Sequence, residues 1–201
     1  MVDVKSTGLY LTDPVLKANG VRTDYWKTGH SYIKRRTSEL KALAGFEKSG
    51  HFFFNPPIGL GYDDGIVAGI QVLEMLDKAG AKLSSLYDGL PQSWGSPTMA
   101  PFCPDEKKYA VVEAMVKEYS SLAEKGEKLL GQKIMSVVTV NGVRVTLEDG
   151  TWGLVRASSN KPSLVVVVES PASEANMRAM FKDVDTRLSQ HPEVGEYDQK
   201  I

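Results

Sequence analysis

The chain is poor in the features that mark specialised classes of protein. Cys103 is the only cysteine among 201 residues, which excludes an internal disulfide and is typical of a protein from a reducing cytosol. Because it lies between Phe102 and Pro104, we interpret it as structural rather than reactive. No apolar run is long enough to span a membrane, and Met1–Lys5 lacks the charged and apolar regions of a signal peptide. We therefore expect a cytoplasmic protein without a membrane partner.

An excess of charge of either sign is also missing. The 24 basic and 25 acidic side chains leave a formal net charge of −1, so a nucleic-acid partner has no general electrostatic support. Any anion site must therefore be local. The hydrophobic content of 42% and the charged content of 24% are those of an ordinary globular protein. The length suits one domain or two small ones.

Several motifs that carry chemistry are absent. No cluster of spaced acidic residues suits Mg²⁺, no Cys/His set has the spacing of a zinc site, and no serine has an obvious activating partner nearby. Gly59-Leu60-Gly61 lacks the following glycine of a dinucleotide-binding motif. Asp63-Asp64 precedes an apolar helix, and helix capping is the preferred interpretation over metal binding. We predict no catalytic nucleophile and no metal site in this chain.

Short strands and helices alternate in the first half, which predicts an α/β domain over residues 1–95. Because its first strand begins at the very start of the chain, we interpret this domain as N-terminally truncated. Ser31 is predicted to cap one helix, and Gly45 to stop it. The predicted elements are strands at Val2–Val4, Val21–Trp26, Gly45–Glu47 and His51–Phe54, and helices at 14–19, 31–43 and 65–80.

Prolines and glycines without periodicity crowd residues 89–104, so we predict a linker or hinge at 96–104. The second half, residues 105–201, is predicted to be an α+β domain in which helices pack on a four-stranded antiparallel sheet. Asn141-Gly142 and Asp149-Gly150 are hairpin signals between its strands. The predicted strands are 134–140, 143–147, 152–157 and 164–169, between helices at 105–123 and 173–189.

One predicted turn, Arg156 to Lys161, combines groups that would suit a phosphate. The guanidinium of Arg156 can hold two oxygens, Lys161 adds a point charge, and the hydroxyls and amide between them donate neutral hydrogen bonds. Backbone N–H groups can add further donors. The alternative is a polar, solvated loop. The full set of predicted phosphate-binding residues is Arg156, Ala157, Ser158, Ser159, Asn160 and Lys161.

Three loops in the first half are also rich in binding groups. Lys5-Ser6-Thr7 and Lys27-Thr28-Gly29-His30 each follow a strand, where ligands bind in α/β folds. The third loop is 47–51, whose acidic and polar side chains can contact sugar hydroxyls. The alternatives are a solvated strand end for Lys5, a helix cap for His30 and a mutual ion pair for Glu47 and His51. The predicted substrate-binding residues are Lys5, His30, Glu47, Lys48, Ser49, Gly50 and His51.

The order of these segments resembles that of the α-D-phosphohexomutases, with bacterial phosphomannomutase/phosphoglucomutase as the most similar type. The segments are Asp3–Thr7, Trp26–Ser31, Phe46–His51, Asp63–Gly65, Leu90-Pro91 and Gly153–Ser158. The resemblance implies that the chain matches most of domain 3 and all of domain 4 of a four-domain enzyme. The catalytic phosphoserine of domain 1 and the Mg²⁺-binding loop of domain 2 would lie outside it, so domains 1 and 2 are implied partners.

The resemblance also implies roles for the four loops. Glu47, Ser49 and His51 would read sugar hydroxyls, Lys5 and His30 would lie near the transferred phosphoryl group, and the Arg156 loop would hold the phosphate that does not react. The chain departs from the family's pattern at two places. In the phosphate loop Ser159-Asn160 replaces the usual Asn-Thr, and in the 47–51 loop Lys48 replaces the usual Met. The implied reaction interconverts hexose 1-phosphate and hexose 6-phosphate through a hexose 1,6-bisphosphate.

Two alternatives to that function remain open at this point. One is a fragment of a phosphoglucosamine mutase, and the other is a non-catalytic sugar-phosphate-binding module. In all three cases a phosphorylated hexose is the expected ligand, and the chain by itself is predicted to be inactive as a mutase.

Overall fold

The computed structural model describes residues 1–201 and divides them into two compact units, Met1–Gln92 and Ser93–Ile201. No helix in either unit has both the length and the apolar composition needed to cross a membrane.

The first unit alternates short strands and helices, as the sequence predicts. A loop follows each of its first two strands, and these loops carry two of the predicted binding segments. In chain order the elements are β1 (Val2–Asp3), α1 (Leu9–Thr12), α2 (Pro14–Ala18), β2 (Tyr25–Trp26), α3 (His30–Glu39), β3 (Ala44–Phe46), β4 (Phe52–Phe54), α4 (Gly65–Ala79) and α5 (Leu83–Asp88).

The strands of the first unit form one mixed sheet in the order β2-β1-β3-β4. β1 lies between β2 and β3 and is parallel to both, whereas β3 and β4 pair antiparallel. The carboxyl ends of β1, β2 and β3 therefore lie at the same edge of the sheet. The three predicted binding loops of this unit follow those ends.

Two predictions about α3 are wrong. The residue preceding the helix is Gly29, with φ of 131°, rather than Ser31, and the helix ends at Glu39. Gly45 does not stop it but lies in the middle of β3. The reason is packing, because a Cβ on Gly45 would lie 2.3 Å from Thr37 Oγ1 and 2.9 Å from Ile33 Cγ2. Glycine thus lets β3 approach α3 closely.

Two other helices have side-chain caps, and the one at Asp64 confirms the capping that the sequence favours. Asp13 accepts a hydrogen bond from the Leu16 N–H at 2.9 Å, and Asp64 accepts from the N–H groups of Ile66 and Val67. These bonds satisfy donors that the first helical turn leaves free. Gly80 ends α4 in the left-handed region.

The second unit contains two long helices and most of the strands. Its elements are β5 (Trp94–Gly95), α6 (Asp105–Glu124), β6 (Lys128–Leu129), β7 (Gln132–Val138), β8 (Val143–Leu147), β9 (Trp152–Ala157), β10 (Leu164–Ser170) and α7 (Glu174–Leu188).

The sheet of the second unit has six antiparallel strands in the order β5-β10-β9-β8-β7-β6, so the predicted four strands were too few. The two additional strands are two-residue edge strands. β5 pairs with the end of β10, and β6 pairs with the start of β7. Neither is long enough to show the alternation of apolar and polar residues by which a strand is recognised in a sequence.

Helices α6 and α7 pack on one face of this sheet and form its core. Val143, Val145 and Leu147 of β8 and Leu164, Val166 and Val168 of β10 point toward this core, as their alternate spacing requires. Gly153 of β9 leaves room for α7, since a Cβ there would lie 2.9 Å from Met180 Sδ.

The segment between the two predicted domains makes regular contacts within the second unit. Ser96 Oγ accepts from the Val168 N–H at 3.0 Å, and Met99 bridges to Val166. Cys103 is fully buried, and its N–H donates to the Pro162 carbonyl at 3.0 Å. Burial raises the pKa of the Cys103 thiol, with a further contribution from Glu193, which suits a structural cysteine.

Candidate functional site

The buried carboxylate of Asp3 connects three of the predicted binding loops. Its Oδ1 accepts from Ser6 Oγ at 2.7 Å and from the Lys48 N–H at 3.3 Å, and its Oδ2 accepts from Thr28 Oγ1 at 3.0 Å. Asp3 is 0% exposed. A single charged side chain at the end of β1 thus fixes the loops that follow β1, β2 and β3.

Lys5 lies in the same cluster rather than at a solvated strand end. Its Nζ is 3.8 Å from Asp3 Oδ2, and only 11% of its side chain is exposed. Burial, and then the charge of Asp3, raise the pKa of the neighbouring Tyr10 hydroxyl. The end of β1 therefore combines a shielded carboxylate with a nearly buried ammonium group.

Glu47 joins the second and third loops. Its Oε1 accepts from the Gly29 N–H at 2.5 Å, at the residue that precedes α3. Within its own loop the Glu47 N–H donates to the His51 carbonyl at 3.0 Å, and the Gly50 N–H donates to the Glu47 carbonyl at 2.9 Å. Lys48, Ser49 and Gly50 are exposed at the tip of this turn.

His51 forms its close side-chain contact with Asp63 and not with Glu47. The two atoms His51 Nδ1 and Asp63 Oδ2 are 2.6 Å apart, and Asp63 Oδ1 accepts from the Phe52 N–H at 3.1 Å. The ring of His30 is 6.2 Å from that of His51 and 5.1 Å from that of Phe53. The structure therefore brings Lys5, His30, Glu47 and His51 to one end of the first sheet.

The Arg156 loop connects β9 and β10 in the second unit. Arg156 is 8% exposed, and its Nη1 donates to the Ala157 carbonyl at 2.9 Å. Ser158 donates from its N–H to the Ser163 carbonyl at 3.0 Å and from its Oγ to Asn160 Oδ1 at 3.1 Å. Residues 159–161 are exposed. The loop is thus a closed turn that presents an amide and an ammonium group.

The backbone at Arg156 is closely approached by the Asn141-Gly142 turn. A Cβ on Gly142 would lie 2.2 Å from the Val155 carbonyl oxygen and 2.7 Å from Arg156 Cα, and its φ is +77°. Both the positive φ and the lack of space require glycine at this position. The hairpin turn therefore sets where the start of the Arg156 loop can lie.

Comparison with known proteins identifies the family to which the chain belongs. Residues 2–94 match the phosphoglucomutase/phosphomannomutase alpha/beta/alpha domain III, and residues 103–187 match the C-terminal domain of the same family. The chain belongs to the phosphoglucomutase/phosphomannomutase family. It corresponds to domains III and IV of that family.

The curated relatives of the chain are longer proteins. It is 34% identical over 192 residues to a phosphomannomutase/phosphoglucomutase of Pseudomonas aeruginosa, covering 92% of this chain and 38% of the relative. It is 37% identical over 174 residues to a phosphoglucomutase of Neisseria gonorrhoeae, covering 86% of this chain and 35% of that relative. The chain thus spans about a third of the length of the relatives it matches.

Solved structures give the same assignment. A phosphoglucomutase/phosphomannomutase family protein from Burkholderia thailandensis superimposes with a TM-score of 0.76 at 29% identity, covering 96% of this chain and 38% of that one. An Aspergillus fumigatus N-acetylphosphoglucosamine mutase in complex with glucose 1,6-bisphosphate gives a TM-score of 0.57 at 13% identity. At that identity the likeness shows the fold alone.

The chain offers no ligand set for the Mg²⁺ that the resemblance implies. No group of three or more His, Cys, Asp or Glu side chains is arranged to hold a metal ion. Asp64 caps α4 and Asp63 contacts His51, so both acidic residues have other partners.

Sequence reasoning missed three residues that hold the candidate binding loops of the two units in place. Asp3 and Asp63 are described above. The third is Lys108 of α6, which is 4% exposed and whose Nζ donates to Asp105 Oδ1 at 2.6 Å and to the Lys161 carbonyl at 3.0 Å. A carboxylate inside an otherwise apolar first strand was the available signal for Asp3. Lys108 gave none, because the partner that links it to the Arg156 loop, the Lys161 carbonyl, is 53 residues away.

Proposed function

We propose that this chain is the sugar- and phosphate-binding part of a phosphohexomutase that interconverts the 1- and 6-phosphates of mannose or glucose. The observation that carries the proposal is the Asp3 cluster, because one buried carboxylate ties together the three loops with the polar groups for a sugar phosphate. Family membership and the names of the relatives support the substrate class.

In the first unit the proposed division of labour follows from chemistry. The ammonium group of Lys5 and the ring of His30 are suited to a phosphoryl oxygen. Glu47 Oε1 is held by the Gly29 N–H, so Oε2 can accept a hydrogen bond from a sugar hydroxyl. His51 and the exposed Ser49 add groups that donate or accept. This combination recognises a ligand that is both hydroxylated and anionic.

In the second unit the proposed ligand of the Arg156 loop is the phosphate that does not react. Arg156 supplies a fork of donors, Ser159 and the amide of Asn160 supply neutral ones, and Lys161 adds charge. Ser158 shapes the turn, because its hydroxyl donates to Asn160 Oδ1. Lys108 would act indirectly, because it anchors the Lys161 carbonyl. The reaction passes through a bisphosphorylated sugar, so the same loop would receive either end of the hexose.

Phosphoryl transfer depends on positioning and on neutralising charge around the reacting phosphate. In this proposal the phosphoserine and the Mg²⁺ come from domains 1 and 2, and the residues described here bind and orient the sugar. The chain alone is therefore expected to have no mutase activity. Turnover of mannose 1-phosphate by the purified chain, with contaminating mutase excluded by a mock purification, would contradict this expectation.

Calorimetric titration with hexose phosphates tests the binding function directly. We expect glucose 6-phosphate and mannose 6-phosphate to bind, and Arg156→Ala to weaken them by about 10- to 150-fold, since a charge-assisted hydrogen bond contributes roughly 1.5–3 kcal/mol. Arg178→Ala is the matched control, because Arg178 is an exposed arginine paired only with Glu174 on α7. Equal affinities for the two variants would overturn the assignment of the loop.

The same titration with glucosamine 6-phosphate compares the two mutase classes. Tighter binding of the amino sugar than of glucose 6-phosphate would favour a phosphoglucosamine mutase over the function proposed here.

A further inference from the structure

We propose that Asp63 is a positioning residue that holds the proton of His51 on Nδ1, so that Nε2 is the atom with which His51 contacts a sugar hydroxyl. The proposal deepens the function proposed above and rests on it for the identity of the ligand. Its central claim, the tautomer of His51, concerns the protein without any ligand.

The contact between the two side chains is short and directional. The 2.6 Å between His51 Nδ1 and Asp63 Oδ2 is a hydrogen-bond distance, and a carboxylate can only accept, so the imidazole must donate from Nδ1. In a neutral imidazole only one nitrogen carries hydrogen, and a partner on one nitrogen decides the state of the other. Nε2 is then left as an acceptor.

Asp63 is itself held in place, which makes it suited to orient another side chain. Its Oδ1 accepts from the Phe52 N–H at 3.1 Å, and its backbone forms an antiparallel bridge with Phe53 of β4. The next residue, Asp64, caps α4. The carboxylate is thus fixed to the strand that follows the 47–51 loop and to the start of a 15-residue helix.

The charged state of Asp63 supports this role. Burial opposes the charge, but the hydrogen bonds from His51 and from the Phe52 N–H, together with the charges of His51 and His30, outweigh it and lower the pKa of Asp63. The carboxylate therefore accepts hydrogen bonds over the whole neutral range. The titratable groups near His51 include Asp63, His30 on α3 and, in its own loop, Glu47 and Lys48.

The consequence for recognition is that the hydrogen-bonding role of Nε2 depends only on whether His51 is neutral or protonated. With Nδ1 occupied, neutral His51 accepts from a hydroxyl at Nε2, and protonated His51 donates there. The His51 carbonyl is bonded to the Glu47 N–H, so His51 and Glu47 are held as one unit. Two acceptors in fixed positions can distinguish hydroxyl arrangements that a single flexible acceptor cannot.

The direct test is the nitrogen chemical shifts of the three histidines of the full chain, measured by NMR at about pH 8.5, well above the ordinary imidazole pKa of about 6.5. We expect His51 to carry its proton on Nδ1, whereas the tail residue His191 serves as an internal reference without a carboxylate partner. Asp63→Ala should move the His51 proton to Nε2, as in a free imidazole. A wild-type His51 already protonated on Nε2, or a tautomer unchanged in Asp63→Ala, would overturn the proposal.

Asp63→Asn keeps the test decisive if the alanine variant unfolds locally. The Phe52 N–H can only donate, so the amide oxygen of an asparagine at this position would face it and the NH₂ group would face His51 Nδ1. Because that NH₂ group donates, a folded Asp63→Asn chain should carry the His51 proton on Nε2, and a proton that stays on Nδ1 in this variant would count against the proposal.

A binding measurement adds the functional consequence. Asp63→Ala should weaken glucose 6-phosphate by about three- to tenfold, the effect of one neutral hydrogen bond, and leave inorganic phosphate unchanged. Equal weakening of both ligands would indicate a general structural effect and overturn the positioning role. If wild-type chain binds no hexose phosphate, the function proposed above fails, while the tautomer measurement still decides the role of Asp63.

Discussion

The two units of the chain bury apolar side chains to very different extents. Of the buried apolar residues, only Val2, Val4, Ile33 and Phe53 belong to the first unit, and all the others belong to the second. The exposed large apolar residues show the opposite distribution. Only four of them, Phe102, Tyr109, Leu130 and Met135, belong to the second unit.

Helix α4 illustrates the difference within the first unit. Its stripe of Ile66, Ile70 and Leu73 has the spacing of a buried helical face, yet none of its residues is buried. In the second unit the corresponding stripes of α6 and α7 lie in the core. The first unit relies instead on polar contacts, such as Asp3 and Asn55, whose Nδ2 donates to the Thr37 and Ala42 carbonyls.

The largest effect is expected from removing a core side chain of the second unit. Met180 is fully buried against Gly153, so Met180→Ala should lower the free energy of unfolding by about 2–5 kcal/mol. Met75→Ala on α4, where the side chain is 45% exposed, is the matched control and should change it by no more than about 0.5 kcal/mol. Urea unfolding, monitored by hydrogen exchange in each unit, measures the loss of stability in both variants. Similar losses would remove the distinction between the units.

The next largest effect should follow from disrupting the polar network of the first unit. Asp3→Asn replaces an acceptor with a group that also donates, so we expect a loss of about 1–3 kcal/mol, confined to this unit. The amide of Lys48, which donates to Asp3, should exchange faster. Asp88→Asn at an exposed position of α5 is the control. Unchanged exchange at residues 5–7, 27–30 and 47–51 would show that Asp3 does not organise these loops.

Each unit has a helix whose N-cap side chain can be removed by a substitution to alanine. Ser173 accepts from the Asn176 N–H at 3.1 Å at the start of α7, and Asp64 caps α4. Ser173→Ala should cost about 1 kcal/mol, because α7 is packed in the core. Asp64→Ala should raise exchange only in α4. If it also lowered protection throughout the first unit, α4 would contribute more to that unit than its exposure indicates.

The smallest expected effect is on the stability of the protein at acidic pH. Burial opposes the charge of Asp149, but hydrogen bonds from Gln132, Thr151 and Asn176 outweigh it, and the pKa of Asp149 is lowered. Its contribution to stability is therefore present above the unfolded pKa of about 4 and is lost as the pH falls through the lower folded pKa. Urea midpoints between about pH 7 and pH 3 should fall less steeply for Asp149→Asn. Parallel curves would contradict this.

Local signals were sufficient for much of the second unit. The strands 143–147 and 152–157 have the predicted bounds, since alternating apolar residues and the Asn141-Gly142 and Asp149-Gly150 turns define them. Gly45 was misjudged because the need for glycine came from Thr37 on a neighbouring helix, which no local pattern reveals. The edge strands β5 and β6 were missed because two residues show no periodicity.

The candidate site divides in the same way. Loops rich in polar residues were recognisable from composition and position after strands. The residues that hold those loops were not, because their contacts link distant parts of the chain, as between Asp3 and Lys48, 45 residues apart. The pairing of His51 with Asp63 rather than Glu47 likewise depends on the bridge between Phe53 and Asp63.

Gly142 has a consequence for how mutational data on this chain should be interpreted. Any side chain at this position would meet the backbone of Val155 and Arg156, so a substitution would displace the start of the Arg156 loop. A mutational scan that measures ligand affinity would then rank Gly142 beside Arg156, although glycine has no side chain with which to contact a ligand. The effect of a substitution at Gly142 would therefore measure how much space the backbone of Val155 and Arg156 leaves there. The stability of the hairpin itself need not change by the same amount.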